Sequence, residues 1–269
     1  MTRTLSATLD VSERMAWMLA ALLPVVGVTA IERGAGWLGG LALGILVAVM
    51  PGLLSNRPGQ SLQGALPWHL DAAVVAMLVS LLMPKGSGLL PSIAAIVLAV
   101  VVGRMAFGGL GQSLFHPAMV GLAVAGSLWT PPNIPEAGSP WSAIACLLGA
   151  VALSWRRVNP WRAPIAFLCG ALLAASVLRT EASLSMRVTA LLQDPSTLLC
   201  AFFVAGDSAT GCLRDRARLA FGLGAGVLAV AFTRWQPGHG LPLAILLMNF
   251  LAPWIEQATS ASRREAFAQ

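Results

Sequence analysis

Two short runs hold most of the side chains that could carry chemistry. The first is Phe107 to Gly121, where Ser113 and His116 follow the glycines Gly108, Gly109 and Gly111. The second is Gly206 to Thr210, where Asp207 precedes Ser208 and Thr210. Imidazole titrates near neutrality, so His116 suits a proton carrier or a ligand contact. The alternative for His116 is a side chain satisfied by backbone exposed at the glycines. An ionised carboxylate near a membrane interior is expensive. Asp207 therefore faces a cavity, a partner or a cofactor, or it caps the helix leading to Cys212 together with Ser208 and Thr210. The two roles are compatible, because a helix N-terminus also holds anionic groups.

No soluble-type active site accompanies these runs. The chain has no Ser/His/Asp order, Walker loop, HExxH or GxGxxG, and its three histidines, His69, His116 and His239, lie far apart. Cys146, Cys169, Cys200 and Cys212 form no CxxC pair and lie in or beside apolar segments, as buried thiols do. Catalysis would then belong to a bound redox cofactor. Arg104 is expected to snorkel to the surface. Asp71 is expected to begin the third helix, as a cap or an ion site. The chain has 9 tryptophans and no tyrosine. Trp37, Trp68, Trp141, Trp155, Trp161, Trp235 and Trp254 fall near segment ends, as an interfacial belt would.

The elements that must position these residues are membrane helices. Hydrophobic residues make up 57% of the 269 and charged residues only 10%, with a mean hydropathy of +0.77. A soluble chain needs roughly a quarter of its residues charged to cover its surface. The net charge of +6 does not point to nucleic acid, since the arginines are scattered between apolar blocks and fit loops facing anionic lipid. No cleavable signal peptide is expected, because Thr2 to Arg14 is polar.

Ten apolar segments begin near Met15, Trp37, Leu70, Ile93, Phe115, Trp141, Ala163, Ser196, Leu219 and Leu241. Several fall below the roughly 20 residues of a straight crossing, and the one around Leu198 to Ala205 is the shortest. Glycines and Pro117 break the chain between Phe107 and Gly121. In hydrocarbon such a break survives only where protein or a polar cavity satisfies the freed backbone. Phe107 to Pro117 is therefore expected to line a cavity with Asp207 nearby. An even helix count puts both termini on one side. That side takes 12 of the 17 basic residues, leaving Arg33, Lys85, Arg179, Arg187 and Arg234 opposite, so both termini are expected in the cytoplasm. The fifth and tenth segments are each entered through a Gly/Pro-rich turn with a histidine, His116 or His239. The fold expected is one all-α membrane domain over residues 1–269, with about ten transmembrane helices, some of them broken. They form two inverted five-helix repeats, about 15–131 and 140–257. A stand-alone inverted-repeat channel or transporter fits this description too, as does a structural anchor.

Gly108-Gly109-Leu110-Gly111-Gln112-Ser113-Leu114-Phe115-His116-Pro117-Ala118-Met119-Val120-Gly121 resembles the Gly-Gly-Leu-Gly-x-Asn-x-Phe-Asn-Pro-Ala-Met-x-Gly motif of the RnfD/NqrB family. Ser113 and His116 replace the family's asparagines. Phe202-Phe203-Val204-Ala205-Gly206-Asp207-Ser208-Ala209-Thr210 is similar to its Phe-Phe-x-x-Thr-Asp-Pro-x-Thr segment, and Arg216-Ala217-Arg218-Leu219-Ala220-Phe221-Gly222 to its Arg-Gly-Arg-x-x-Phe-Gly. Leu241 to Glu256 resembles its last helix. The resemblance implies an RnfD-like inner-membrane subunit of an ion-translocating ferredoxin:NAD oxidoreductase complex in bacteria. Its partners would be membrane and peripheral subunits bearing flavin and iron–sulfur centres, and it would move sodium ions or protons. It further implies a flavin, FMN or riboflavin, on Gly108, Gly109, Gly111, Ser113, His116, Asp207 and Thr210, held without a covalent bond. Family members often carry FMN on a threonine in a Ser-x-Ala-Thr-like motif. Ser127-Leu128-Trp129-Thr130 is the similar spacing here, so Thr130 is the exception where a covalent bond would form.

Overall fold

The computed structural model describes residues 10–55, 62–109, 112–129, 139–178, 183–207, 209–236 and 238–267. Helix α1 (Val11–Arg33) begins at Asp10, whose carboxylate accepts the Val11 N–H at 2.8 Å, and Gly34, at φ 87°, ends it. Helices α2 (Ala35–Ser55), α3 (Leu62–Leu82) and α4 (Leu89–Val101) follow. A 3-10 turn, Met105–Phe107, then leads through the break to α5 (Pro117–Leu128). The second half holds α6 (Pro140–Trp155), α7 (Arg162–Leu178), α8 (Leu184–Gln193) and α9 (Pro195–Leu199). Helix α9 runs on as a π-helix, Cys200–Ala205, before α10 (Asp215–Trp235) and α11 (Gly240–Phe267).

Five helices are long and apolar enough to cross a membrane: Val11–Arg33, Ala35–Leu54, Leu89–Phe107, Asp215–Trp235 and Gly240–Ser260. Among the described residues, shorter apolar helices cover Leu66–Leu82, Pro117–Leu128, Pro140–Trp155, Arg162–Leu178 and Pro195–Ala205. One element was not expected. Helix α8 lies within the Arg179–Pro195 separator, capped by the Ser183 hydroxyl, which accepts the Met186 N–H at 3.4 Å.

The bundle is apolar outside as well as inside. Leu23, Leu46, Leu148, Val151 and Val177 are exposed, a pattern that fits lipid rather than water around it. Between helices the contacts are made by small residues, as in membrane bundles. A Cβ at Gly226 or Gly222 of α10 would strike the Phe167 or Ala163 carbonyl of α7.

Polar contacts fix the direction of each helix. Arg33 donates to the Met83 carbonyl at 2.8 Å, so α1 and α3 finish together at what is called the far end. Arg156, at the end of α6, lies 4.2 Å over the Trp17 ring, so α6 runs back toward the start of α1 at the near end. Arg162 pairs with Asp215, so α7 and α10 start together there. The Glu256 carboxylate accepts from the Arg214 N–H at 2.9 Å, which returns α11 to the near end.

Three expectations are corrected. Asp71 does not begin the third helix, because α3 starts at Leu62 and Asp71 lies in its third turn. Arg104 does not snorkel: it is 1% exposed, since Asp71 and Trp68 hold it inside. Asp207 does not cap a helix leading to Cys212, because Gly206 to Arg214 makes turns and α10 opens at Asp215.

Candidate functional site

The first break turns on two glycines. Gly108 and Gly109 sit at φ 97° and 102°, where an L side chain is strained, and the N–H of Gly109 returns to the Arg104 carbonyl at 3.2 Å. Phe107 and Phe115 close the loop edge to face, with centroids 5.9 Å apart. Pro117 takes the first helical position of α5, where a missing N–H costs nothing, and the His116 carbonyl accepts from Met119 at 3.0 Å.

Arg104 enters the bundle just before this turn. Its Nη2 lies 2.5 Å from the Asp71 carboxylate, and its guanidinium stacks 4.0 Å above the Trp68 ring. A buried guanidinium is tolerated only when paired and hydrogen-bonded, and the planar group also suits an aromatic face. Trp68 is thus part of an interior cluster rather than of an interfacial belt. Beside it, the Trp68 Nε1 and both His69 ring nitrogens are buried without a hydrogen-bond partner among the described residues.

The second break follows the π-helix. A π-turn leaves carbonyls without their usual helical donors, and Asn159 Nδ2 supplies one to the Phe202 carbonyl at 3.0 Å. The chain then turns at Asp207, whose carboxylate accepts the Ala209 N–H at 3.1 Å. Asn249 of α11 is 2% exposed and joins the two breaks. With its amide oriented to satisfy both atoms, it accepts the His116 N–H at 2.9 Å and donates to the Thr210 carbonyl at 3.3 Å.

These pieces enclose a cavity of about 260 Å³ at the near end, lined by Asp71, Arg104, Ser113, His116, Asp207 and Thr210. Arg14, Met15 and Met18 of α1 wall one side. Four residues singled out in the sequence, Ser113, His116, Asp207 and Thr210, therefore meet, while Gly108 and Gly109 shape the turn without lining the cavity. Gly111 and Thr130 lie outside the described residues. His116 is 4% exposed, and its Nδ1 has no hydrogen-bond partner among the described residues, so it is not satisfied by the exposed backbone. Sequence reasoning missed the Asp71–Arg104 pair and Asn249. Opposite charges inside two apolar segments were the available signal for the first.

The cavity does not fit an FMN. Its volume falls below the roughly 300–1,000 Å³ of pockets that enclose such ligands. Two carboxylates, Asp71 and Asp207, face it, and the guanidinium of Arg104 is already matched by Asp71, which disfavours a phosphate. Among the described residues no cluster of three or more His, Cys, Asp or Glu could hold a metal ion. The donor set instead suits small cationic or proton-bearing species.

Comparison with known proteins agrees with this architecture. The model of the NQR2, RnfD, RnfE family matches residues 4–133 and 127–264. The chain is 30% identical to the D component of the ion-translocating oxidoreductase complex of Pseudomonas aeruginosa (strain LESB58), covering 91% of this chain and 89% of the relative. It is 26% identical to the D component of the same complex in Marinobacter nauticus, covering 92% and 89%, and 26% identical to that of Shigella flexneri, covering 90% and 91%. The first alignment runs over 313 positions, more than the 269 residues here, so that relative carries residues this chain lacks. The chain belongs to the NQR2, RnfD, RnfE family.

Proposed function

We propose that this chain is the D-type membrane component of an ion-translocating ferredoxin:NAD oxidoreductase complex in the bacterial inner membrane. Flavin-mediated electron transfer in that complex drives sodium ions or protons across the bilayer. The observation that carries this is the family match over nearly the whole chain, joined by relatives bearing that role in name over about nine-tenths of their length. The same match gives no support to a stand-alone channel. The chain would not work alone: electrons pass through flavin and iron–sulfur centres of partner subunits.

On this reading ten helices cross the membrane in two inverted halves. In its support, α4 packs on α5 as α10 packs on α11, and α2 packs on α3 as α7 packs on the π-helix. The self-matching pairs α1 with α6 and α5 with α11 meet between the halves. The near end carries Arg14, Arg104, Arg156, Arg157, Arg162, Arg214, Arg216 and Arg218, so it faces the cytoplasm together with both termini. The flavin implied by the resemblance belongs to the assembled complex, and Thr130 is the candidate for covalent FMN on this chain. In-gel fluorescence of the denatured chain, lost in Thr130→Ala, tests that attachment.

Deleting the chain tests the function. Membranes of the deletion strain are expected to lose ferredoxin-dependent NAD reduction and its ionophore-sensitive gradient, with both restored by the intact chain. Undiminished activity in the deletion strain would overturn the proposal.

A further inference from the structure

A second cavity, of about 310 Å³, opens at the far end of the bundle. It is lined by Leu82 of α3, Met119 of α5, Asp194, Cys200, Thr233 and His239. Like the near cavity it combines one imidazole with a carboxylate. Here the Asp194 carboxylate accepts the Ser196 and Thr197 N–H groups at 3.1 and 3.2 Å and so opens α9.

Two helices line both cavities, and along each the interval between them is short. On α3, Leu78 lines the near cavity and Leu82 the far one, a rise of about 6 Å. On α5, Pro117 lines the near cavity and Met119 the far one, a rise of about 3 Å. The wall between them holds Leu78, Met119 and Cys200, each 0% exposed. It is apolar and about one helical turn thick, whereas a hydrocarbon core is roughly 30 Å.

We propose that these cavities are the two halves of one proton path through this chain, closed by the Leu78–Met119 wall. This rests on the reading that the complex translocates an ion, and it names that ion and its route. The groups at hand favour a proton. His116 presents a buried Nδ1 without a hydrogen-bond partner among the described residues, and imidazoles and carboxylates are the side chains that relay protons in membranes. The charged groups facing His116 are Arg14 from α1, Asp71 from α3, Arg104 from the α4–α5 turn and Asp207 beyond the π-helix. With Arg104 bound to Asp71, Asp207 is the near-side acceptor. The proton passes to His116 and, when the wall parts, to the His239 and Asp194 side. Each hop breaks one O–H or N–H bond as another forms, and no electron moves.

The full-length chain in liposomes loaded with a pH-sensitive dye, under a potassium–valinomycin potential, provides the test. Met119→Ser and, independently, Leu78→Ser are expected to raise proton entry roughly tenfold or more, the change that about 1.4 kcal/mol off a barrier gives. Adding His116→Asn to either variant should return entry to the level of the unaltered chain. No increase in either variant, with helicity and monodispersity retained, would overturn the path. A rise that survives His116→Asn would overturn the role of His116. Tracer sodium uptake rising in place of proton entry would overturn the choice of ion. None of these readouts needs partner subunits, so they stand or fall apart from the proposed place in the complex, which fails separately if deletion leaves ferredoxin-dependent NAD reduction intact.

Discussion

Asn249 of α11 holds the backbone N–H of His116 at 2.9 Å, and through it the last helix of one half fixes the broken entry to the last helix of the other. The same amide donates to the Thr210 carbonyl at 3.3 Å, so one buried side chain sets the distance between both breaks. An isolated backbone N–H in this interior would have no water to turn to.

Asn249→Ala leaves a buried donor and a buried acceptor unpaired. The expected loss is about 1–3 kcal/mol, seen as a lower thermal midpoint in detergent. An unchanged midpoint would mean that the bridge does not form.

Asp71 and Arg104 are expected to fail singly and recover together. Removing one partner of a buried ion pair costs about 3–5 kcal/mol, because the other charge is left uncompensated. Asp71→Asn or Arg104→Gln should each lower stability and yield in the membrane, and the double variant should regain part of the loss. Arg104→Lys should not substitute, since an ammonium keeps the charge but loses the planar stacking 4.0 Å above Trp68. Strictly additive losses in the double variant would contradict the pairing.

The seam between α7 and α10 predicts a sharp contrast between two glycines. Gly226→Ala pushes a methyl into the Phe167 carbonyl, and such overpacking costs about 1–3 kcal/mol. Gly27→Ala in α1 meets nothing within 4 Å and should be neutral or stabilising by up to about 1 kcal/mol. Thermal unfolding of both variants in one detergent checks the pair.

Compartment reporters fused at Gln269 and after Pro135 are expected to read opposite sides, cytoplasmic and external. Both in one compartment would contradict ten crossings.

The apolar segments were legible because helix length and hydrophobic runs depend on local sequence. The break at Gly108 to Pro117 was legible too, since positive φ and a missing N–H are properties of glycine and proline themselves. Its meeting with Asp207 followed from the cost of burying charge. Arg104 was misread, because a lone arginine at a segment end looks the same whether it reaches water or a carboxylate 33 residues away in α3. Asn249 gave no signal at all, as an asparagine in an apolar helix shows its partners only once the helices pack. Helix α8 was hidden by its mixed composition, and the π-helix by the tertiary contact from Asn159 that satisfies it.

The most direct test of the account is to purify the complex from native membranes through an affinity tag on this chain. The account predicts that flavin- and iron–sulfur-bearing subunits come with it in fixed proportion and that the eluate transfers electrons between ferredoxin and NAD. A chain recovered alone, with the oxidoreductase activity left in the unbound fraction, would contradict it.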